Sequence, residues 1–239
     1  MSVISGPFRQ RFRASIEGPV ARVFVRTGLS PNALTLIGLA IAVAGAGLAA
    51  AQSWLLAGLV VAFGAVFDLF DGALARATGK TSKFGAFLDS TIDRAGEAVV
   101  YIGIAIGALA GDFTAGVILA AAAMAAAFMV SYTRAKSESL GFASGSGMAN
   151  VGLAPREVRT AILVAGLLVV QFAGPIGPLT FACATDLLIQ CLAPDAYHAG
   201  DLVVGGALGL IGLLATITAV QRIYFVYRQS QSTNQEAQK

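Results

Sequence analysis

Histidine is almost missing from this chain: His198 is the only one in 239 residues. That argues against a histidine-built metal centre and against a Ser–His triad. Cysteine is nearly as scarce, with Cys183 and Cys191 alone, which excludes a disulfide scaffold or a zinc ribbon. Eight residues apart in one helix, their Cα atoms would lie roughly 12 Å apart, too far for a disulfide, so both are expected to be free packing residues. Charge is scarce as well. Charged residues make up 12% of the chain and hydrophobic ones 56%, against roughly 25% charged in a soluble domain. This excludes an ordinary soluble globule and a disordered chain. The N-terminus has arginines but lacks the continuous apolar run and cleavage site of a secretory signal. A membrane protein remains, with room for about six spans of roughly 20 residues.

No charge occurs between Arg26 and Asp68. Apolar runs predict an all-α integral membrane fold with six transmembrane helices, at about 33–51, 54–77, 85–110, 114–137, 157–180 and 199–226. The basic residues fall in four groups, Arg9–Arg26, Arg76–Arg94, Arg134–Arg159 and Arg222–Lys239. The turns near 52 and 112 and the segment 174–200 hold none. By the positive-inside rule, both termini and the charged loops are cytoplasmic, in a multi-pass protein of the cell membrane. Asp186, Gln190, Pro175, Pro178 and Pro194 interrupt 174–198, which reads as a non-cytoplasmic loop with a short interfacial helix rather than a seventh span.

Phe8, Phe12, Ile16, Val20 and Phe24 recur every four residues, with arginines on other faces. An amphipathic helix over about 6–27, lying on the membrane surface ahead of the first span, follows; Gly18-Pro19 should bend it. Residues 1–228 read as a single membrane domain, and 229–239 as a polar, disordered tail. Gly141–Gly152 reads as a flexible cytoplasmic connection, and the alanines of 120–127 permit close helix contact.

Acids inside a bilayer are costly and point to function. Asp68 and Asp71 lie near the cytoplasmic end of the second span, and Asp89 and Asp93 near the start of the third. Spacings of three and four put each pair on one helix face. The short connection 79–84 should make the two helices antiparallel neighbours, so that the four carboxylates converge. Four such groups demand cations. All-oxygen ligation favours Mg²⁺ or Mn²⁺, and two acids from each helix suit two ions roughly 3.5–4 Å apart, clamping a diphosphate.

The stretch Asp68-Leu-Phe-Asp71-Gly72-Ala-Leu-Ala75-Arg76, eight residues, then Gly85-Ala-Phe-Leu-Asp89-Ser-Thr-Ile-Asp93 resembles, at every defined position, the signature of the CDP-alcohol phosphotransferases, D-x2-D-G-x2-A-R-x8-G-x3-D-x3-D. The resemblance also covers the layout of an amphipathic helix and six spans. It implies transfer of a phosphatidyl group from a CDP-linked lipid to an alcohol, with release of CMP. It makes Asp68, Asp71, Asp89 and Asp93 the metal ligands and Asp93 the general base. Gly72 and Ala75 leave room for a nucleotide beside the helix, Arg76 can pair with phosphate, and Gly85 allows close packing. Pro31 and Asn32 resemble the family's nucleotide edge, although helix initiation alone would also account for them. Ser82 matches a nucleotide-contacting position. Family members are typically homodimers.

For the acceptor, Ser131, Arg134 and Lys136 end the fourth span and Arg156 and Arg159 open the fifth. Positive-inside charge would explain the bases, but a phosphorylated acceptor would use them. The segments resemble the phosphatidylinositol-phosphate synthase branch, with Arg134 and Lys136 in reversed order and Ala154-Pro155 where a Glu is usual. That branch implies CDP-diacylglycerol as donor and inositol 1-phosphate as acceptor; glycerol 3-phosphate is the alternative. No nucleic-acid partner is expected. A Mg²⁺-dependent membrane prenyltransferase would need acidic motifs on distant helices, and a divalent-cation transporter would need acids at the midplane.

Overall fold

The computed structural model describes residues 29–77, 82–142, 151–174, 176 and 198–237. The amphipathic helix over 6–27, both cysteines and most of the 174–198 loop lie outside them. The described residues form six helices: α1 (Pro31–Ala50), α2 (Trp54–Ala77), α3 (Lys83–Ala110), α4 (Thr114–Ser139), α5 (Arg156–Ala173) and α6 (Ala199–Ala237). Side chains of residues 69–73 and 75–77 in α2 fall outside the description.

Local chemistry sets the ends. Ser30 caps α1 by accepting a hydrogen bond from the Ala33 N–H at 3.2 Å, and Pro31 takes the first turn, where its missing N–H costs nothing. Ser82 caps α3 through the Gly85 N–H at 2.9 Å. The α1–α2 and α3–α4 turns each place a non-glycine residue in the left-handed region, Gln52 (φ 58°) and Asp112 (φ 56°). Gln52 Nε2 donates to the Gly107 carbonyl at 3.1 Å, tying the two turns to one end of the bundle.

The helices close into a ring in which α1 packs on α2, α2 on α5, α5 on α6, α6 on α4, α4 on α3, and α3 on α1. One continuous apolar core, including Trp54, Tyr101, Ile104, Phe113, Leu167 and Leu208, fills it. The α1–α3 crossing brings the two backbones into contact. A methyl at Gly103 would overlap the Ala46 carbonyl, and one at Gly107 would overlap the Ala49 carbonyl and the Trp54 ring. This is a small-xxx-small contact of the membrane type.

Large apolar side chains also face outward on every helix, among them Leu36, Phe63, Ile106, Ile118, Phe172 and Leu213. Such a girdle marks a surface made for lipid, and the protein is a membrane protein. Pro31–Ala50, Thr114–Ser139 and Ala199–Ser232 are long and apolar enough to span a bilayer, and Trp54–Asp68 is a shorter apolar stretch. The helices that fall short include α3, which carries Asp89, Asp93, Arg94 and Glu97, and α5, which carries Arg156, Glu157 and Arg159 in its first turn.

Three expectations are corrected. The helix predicted over 157–180 stops at Ala173, because Gly174 takes φ 110° and Pro175 follows. The tail predicted as disordered from 229 continues α6 to Ala237; its Gln, Ser, Glu and Ala residues carry no helix breaker. Finally, α2 and α3 are not the side-by-side pair that their short connection suggested. Among the described residues each packs mainly on α1 instead.

Gly103→Ala and Gly107→Ala are each expected to destabilise the protein by about 1–3 kcal/mol, read as a lowered thermal midpoint in detergent. Gly47→Ala, with no atom within 4 Å of the added Cβ, should leave the midpoint unchanged.

Candidate active site

Two of the four motif acids turn toward one point. Asp68 near the end of α2 and Asp93 in α3 are both partly buried, and the Arg156 guanidinium lies between them. Its two terminal nitrogens donate separately, one to Asp68 Oδ2 at 2.6 Å and the other to Asp93 Oδ1 at 2.7 Å. A guanidinium can bridge in this way because it is a planar fork. Asp68 leans across α1, where a Cβ at Gly38 would come within 3.1 Å of its Oδ1. Asp89 is within electrostatic reach of both carboxylates. Arg94 sits 3.9 Å from Asp93 and donates to the Ser90 carbonyl.

Asn32 at the start of α1 and Ser82 at the cap of α3 meet over Gly85, whose missing side chain would lie 3.3 Å from Asn32 Oδ1 and 3.1 Å from Ser82 Oγ. Ser82 also caps the start of α3. Asp71, Gly72, Ala75 and Arg76 continue α2, with their side chains outside the description. Inward of the acid pair a cavity opens between α1, α2, α3 and α5. It is lined by Thr35, Glu97, Tyr101 and Thr160 among apolar groups.

The bases assigned to one acceptor pocket are divided. Arg156 is on the acids. Arg159 is 1% exposed and engaged on three sides: Nε and one terminal nitrogen hold the two oxygens of Glu97 at 2.8 Å each, and the other donates to the Ala154 carbonyl at 2.9 Å. It braces α5 against α3, with three of its five N–H donors used by Glu97 and the Ala154 carbonyl. Arg134 pairs with Glu138 one turn on at 2.9 Å, Lys136 is exposed, and Ser131 is half-buried.

Sequence reasoning missed the clamp that sets the position of Arg156. The segment before α5 is pinned to α6. Thr218 Oγ1 accepts from the Leu153 and Ala154 N–H groups at 3.0 and 2.9 Å, and Arg222 Nε donates to the Val151 carbonyl at 3.1 Å. Arg222 also reaches the Val130 carbonyl of α4, so one buried cation joins α4, α6 and this segment. Gly152 (φ 121°) is required twice, by its backbone and because a methyl would overlap Thr218. Ala154 is fully buried, so the packing admits a small residue where a Glu is usual. Two signals were available in the sequence: Glu97 continues the Asp89–Asp93 spacing of four, and Arg222 interrupts an apolar run.

Among the described residues no three acidic, histidine or cysteine side chains converge to hold an ion unaided. The donor set nevertheless fits a hard divalent cation. It is all oxygen, and the two carboxylates already share one positive charge.

The family profile of the CDP-alcohol phosphatidyltransferases matches residues 28–213. The chain belongs to the CDP-alcohol phosphatidyltransferase family. It is therefore a transferase. It is 33% identical over 225 residues to the phosphatidylinositol phosphate synthase of Cutibacterium acnes, covering 92% of this chain and 96% of that one. It is 40% identical over 157 residues to the archaetidylinositol phosphate synthase of Pyrococcus horikoshii, covering 64% and 78%. The crystal structure of the Mycobacterium tuberculosis phosphatidylinositol phosphate synthase with CDP-DAG bound superposes with a TM-score of 0.69 at 28% identity, over 89% of this chain and 94% of that one. A second structure of that protein contains manganese and citrate, with the same score and identity and 89% of each chain covered.

Glu97→Ala leaves the buried Arg159 without its counter-charge. A loss of about 3–5 kcal/mol is expected, measured by thermal or denaturant unfolding in detergent. Truncating the exposed Arg134–Glu138 pair should cost under about 1 kcal/mol.

Proposed function

We propose that this protein is a phosphatidylinositol phosphate synthase, transferring the phosphatidyl group of CDP-diacylglycerol to inositol 1-phosphate and releasing CMP. The observation that carries the reading is the meeting of Arg156, the phosphate-type fork that opens α5, with the first and last acids of the motif at 2.6 and 2.7 Å. The diphosphate-binding acids and a base suited to an acceptor phosphate thus share one site. The near full-length similarity to a phosphatidylinositol phosphate synthase supports the acceptor choice over glycerol 3-phosphate.

Asp68, Asp71, Asp89 and Asp93 are the residues to hold divalent cations, two Mg²⁺ or Mn²⁺ in this reading. Such ions, when bound, neutralise the diphosphate and the charge that develops as CMP departs. Asn32, Ser82 and Gly85 border the nucleotide, with Pro31 fixing the turn that presents Asn32; Gly72, Ala75 and Arg76 complete that side. Asp93 accepts the proton of the acceptor hydroxyl. The hydroxyl oxygen bonds to the phosphorus that carries diacylglycerol, and the bond to the CMP oxygen breaks. Arg156, with Ser131, Arg134 and Lys136, gathers the acceptor phosphate, with Arg159 nearby, which also holds α5 in place. Six spans with both termini and the site on the cytoplasmic face of the cell membrane, and a homodimeric assembly, complete the proposal.

The test is turnover of purified protein with CDP-diacylglycerol and Mg²⁺, offered inositol 1-phosphate, glycerol 3-phosphate or free inositol in parallel, with CMP and lipid product measured. Product with inositol 1-phosphate alone is expected. Turnover only with glycerol 3-phosphate would move the assignment to the alternative acceptor. Asp93→Asn should lower kcat by about 10²–10⁴-fold, the range for loss of a general base, and wild-type turnover in that variant would remove Asp93 from the role.

A further inference from the structure

We propose that Arg156 is a two-position switch that couples divalent-cation occupancy of the acids to capture of a phosphate monoester. The second position rests on the acceptor assignment above. In the structure both terminal nitrogens of Arg156 are engaged by Asp68 and Asp93. Those same oxygens are the ones a hard cation needs, so the guanidinium and the ion compete for one place. Charge favours the exchange: the three carboxylates of Asp68, Asp93 and Asp89 against the two guanidinia of Arg156 and Arg94 leave the site net negative. A divalent ion balances the pair completely.

Arg156 has the freedom to move and its backbone does not. Its side chain is 36% exposed. Thr218, Arg222 and Arg159 clamp the chain just before it, and Pro155 starts the helix, its carbonyl accepting from the Val158 and Arg159 N–H groups at 3.1 and 3.2 Å. The motion is therefore a side-chain swing about a fixed Cα. Once off the acids, Arg156 presents an unpaired planar fork beside the site, the geometry that binds phosphate bidentately. By linkage the phosphate then tightens cation binding as much as the cation tightens phosphate binding. While no divalent cation is bound, Arg156 keeps the acid pair together and stays unavailable to the acceptor.

The test uses full-length protein in detergent without lipid donor. Free Mn²⁺ is followed by electron paramagnetic resonance during titration, with and without inositol 1-phosphate. Removal of the competitor in Arg156→Ala is expected to tighten Mn²⁺ binding about tenfold. In the unaltered protein inositol 1-phosphate should tighten Mn²⁺ about fivefold or more, the lower end of ordinary coupling, and Arg156→Ala should lose most of that linkage. Arg156→Lys, whose single ammonium cannot span both carboxylates, should bind Mn²⁺ with intermediate affinity, and it carries the test if the alanine variant does not stay monodisperse. Unchanged or weaker Mn²⁺ binding in both variants would overturn the switch. Tighter Mn²⁺ binding with no effect of inositol 1-phosphate on either protein would uphold the competition and overturn the coupling together with the acceptor role; the same linkage with glycerol 3-phosphate only would uphold the switch and reassign the acceptor.

Discussion

Two carboxylates facing each other between helices of a membrane protein require a positive charge, and much of this architecture follows from supplying one. Asp68 and Asp93 come from helices that pack on α1 rather than on each other, and the gap between them is bridged by Arg156. Without a cation the pair would repel across a region of low dielectric. With one, the same repulsion becomes the drive to bind ions and phosphates. The site is thus an opening held between helices by charge, beside a core held together by packing.

The scaffold divides its work accordingly. On one side, Gly103 and Gly107 let α3 lie directly on the α1 backbone, so the helices that carry Asn32 and Asp93 have a fixed separation. On the other, α6 holds the segment before α5 by one hydroxyl and one arginine, Thr218 and Arg222. These buried polar groups satisfy main-chain donors and acceptors that would otherwise be stranded. The result is a rigid start to α5 with a long side chain at its first position. Arg159, three residues on, is committed to Glu97. Two arginines in one helical turn therefore do opposite things: one is locked and braces the bundle, and the other has room to change partners.

Membership of the CDP-alcohol phosphatidyltransferases accounts for why such an opening is kept in a small chain. A CDP-linked lipid brings a diphosphate and two acyl chains, so its head must reach polar groups while its tails stay in lipid. Outward-facing apolar side chains such as Phe63 and Phe172 and an acid pair within the bundle meet both demands in one fold.

Much of this was legible without coordinates. The scarcity of charge and the apolar runs located the first four helices to within a few residues and the starts of the last two, because a membrane helix must be long, apolar and internally hydrogen-bonded. The eight-position motif named the family, because its residues carry the chemistry in a short, contiguous stretch. The end of α5 was overrun because an apolar run does not reveal that Gly174 turns left-handed. What only the tertiary structure decided is who pairs with whom. Arg156 and Arg159 look alike in sequence, two bases in one helical turn, yet one meets Asp68 and Asp93 and the other Glu97. Arg222 and Thr218 lie over 60 residues from the segment they hold. Local pattern dictates where a charge sits along a helix; which opposite charge it finds depends on the rotation and packing order of six helices, and that is settled only when all of them bury their apolar faces together.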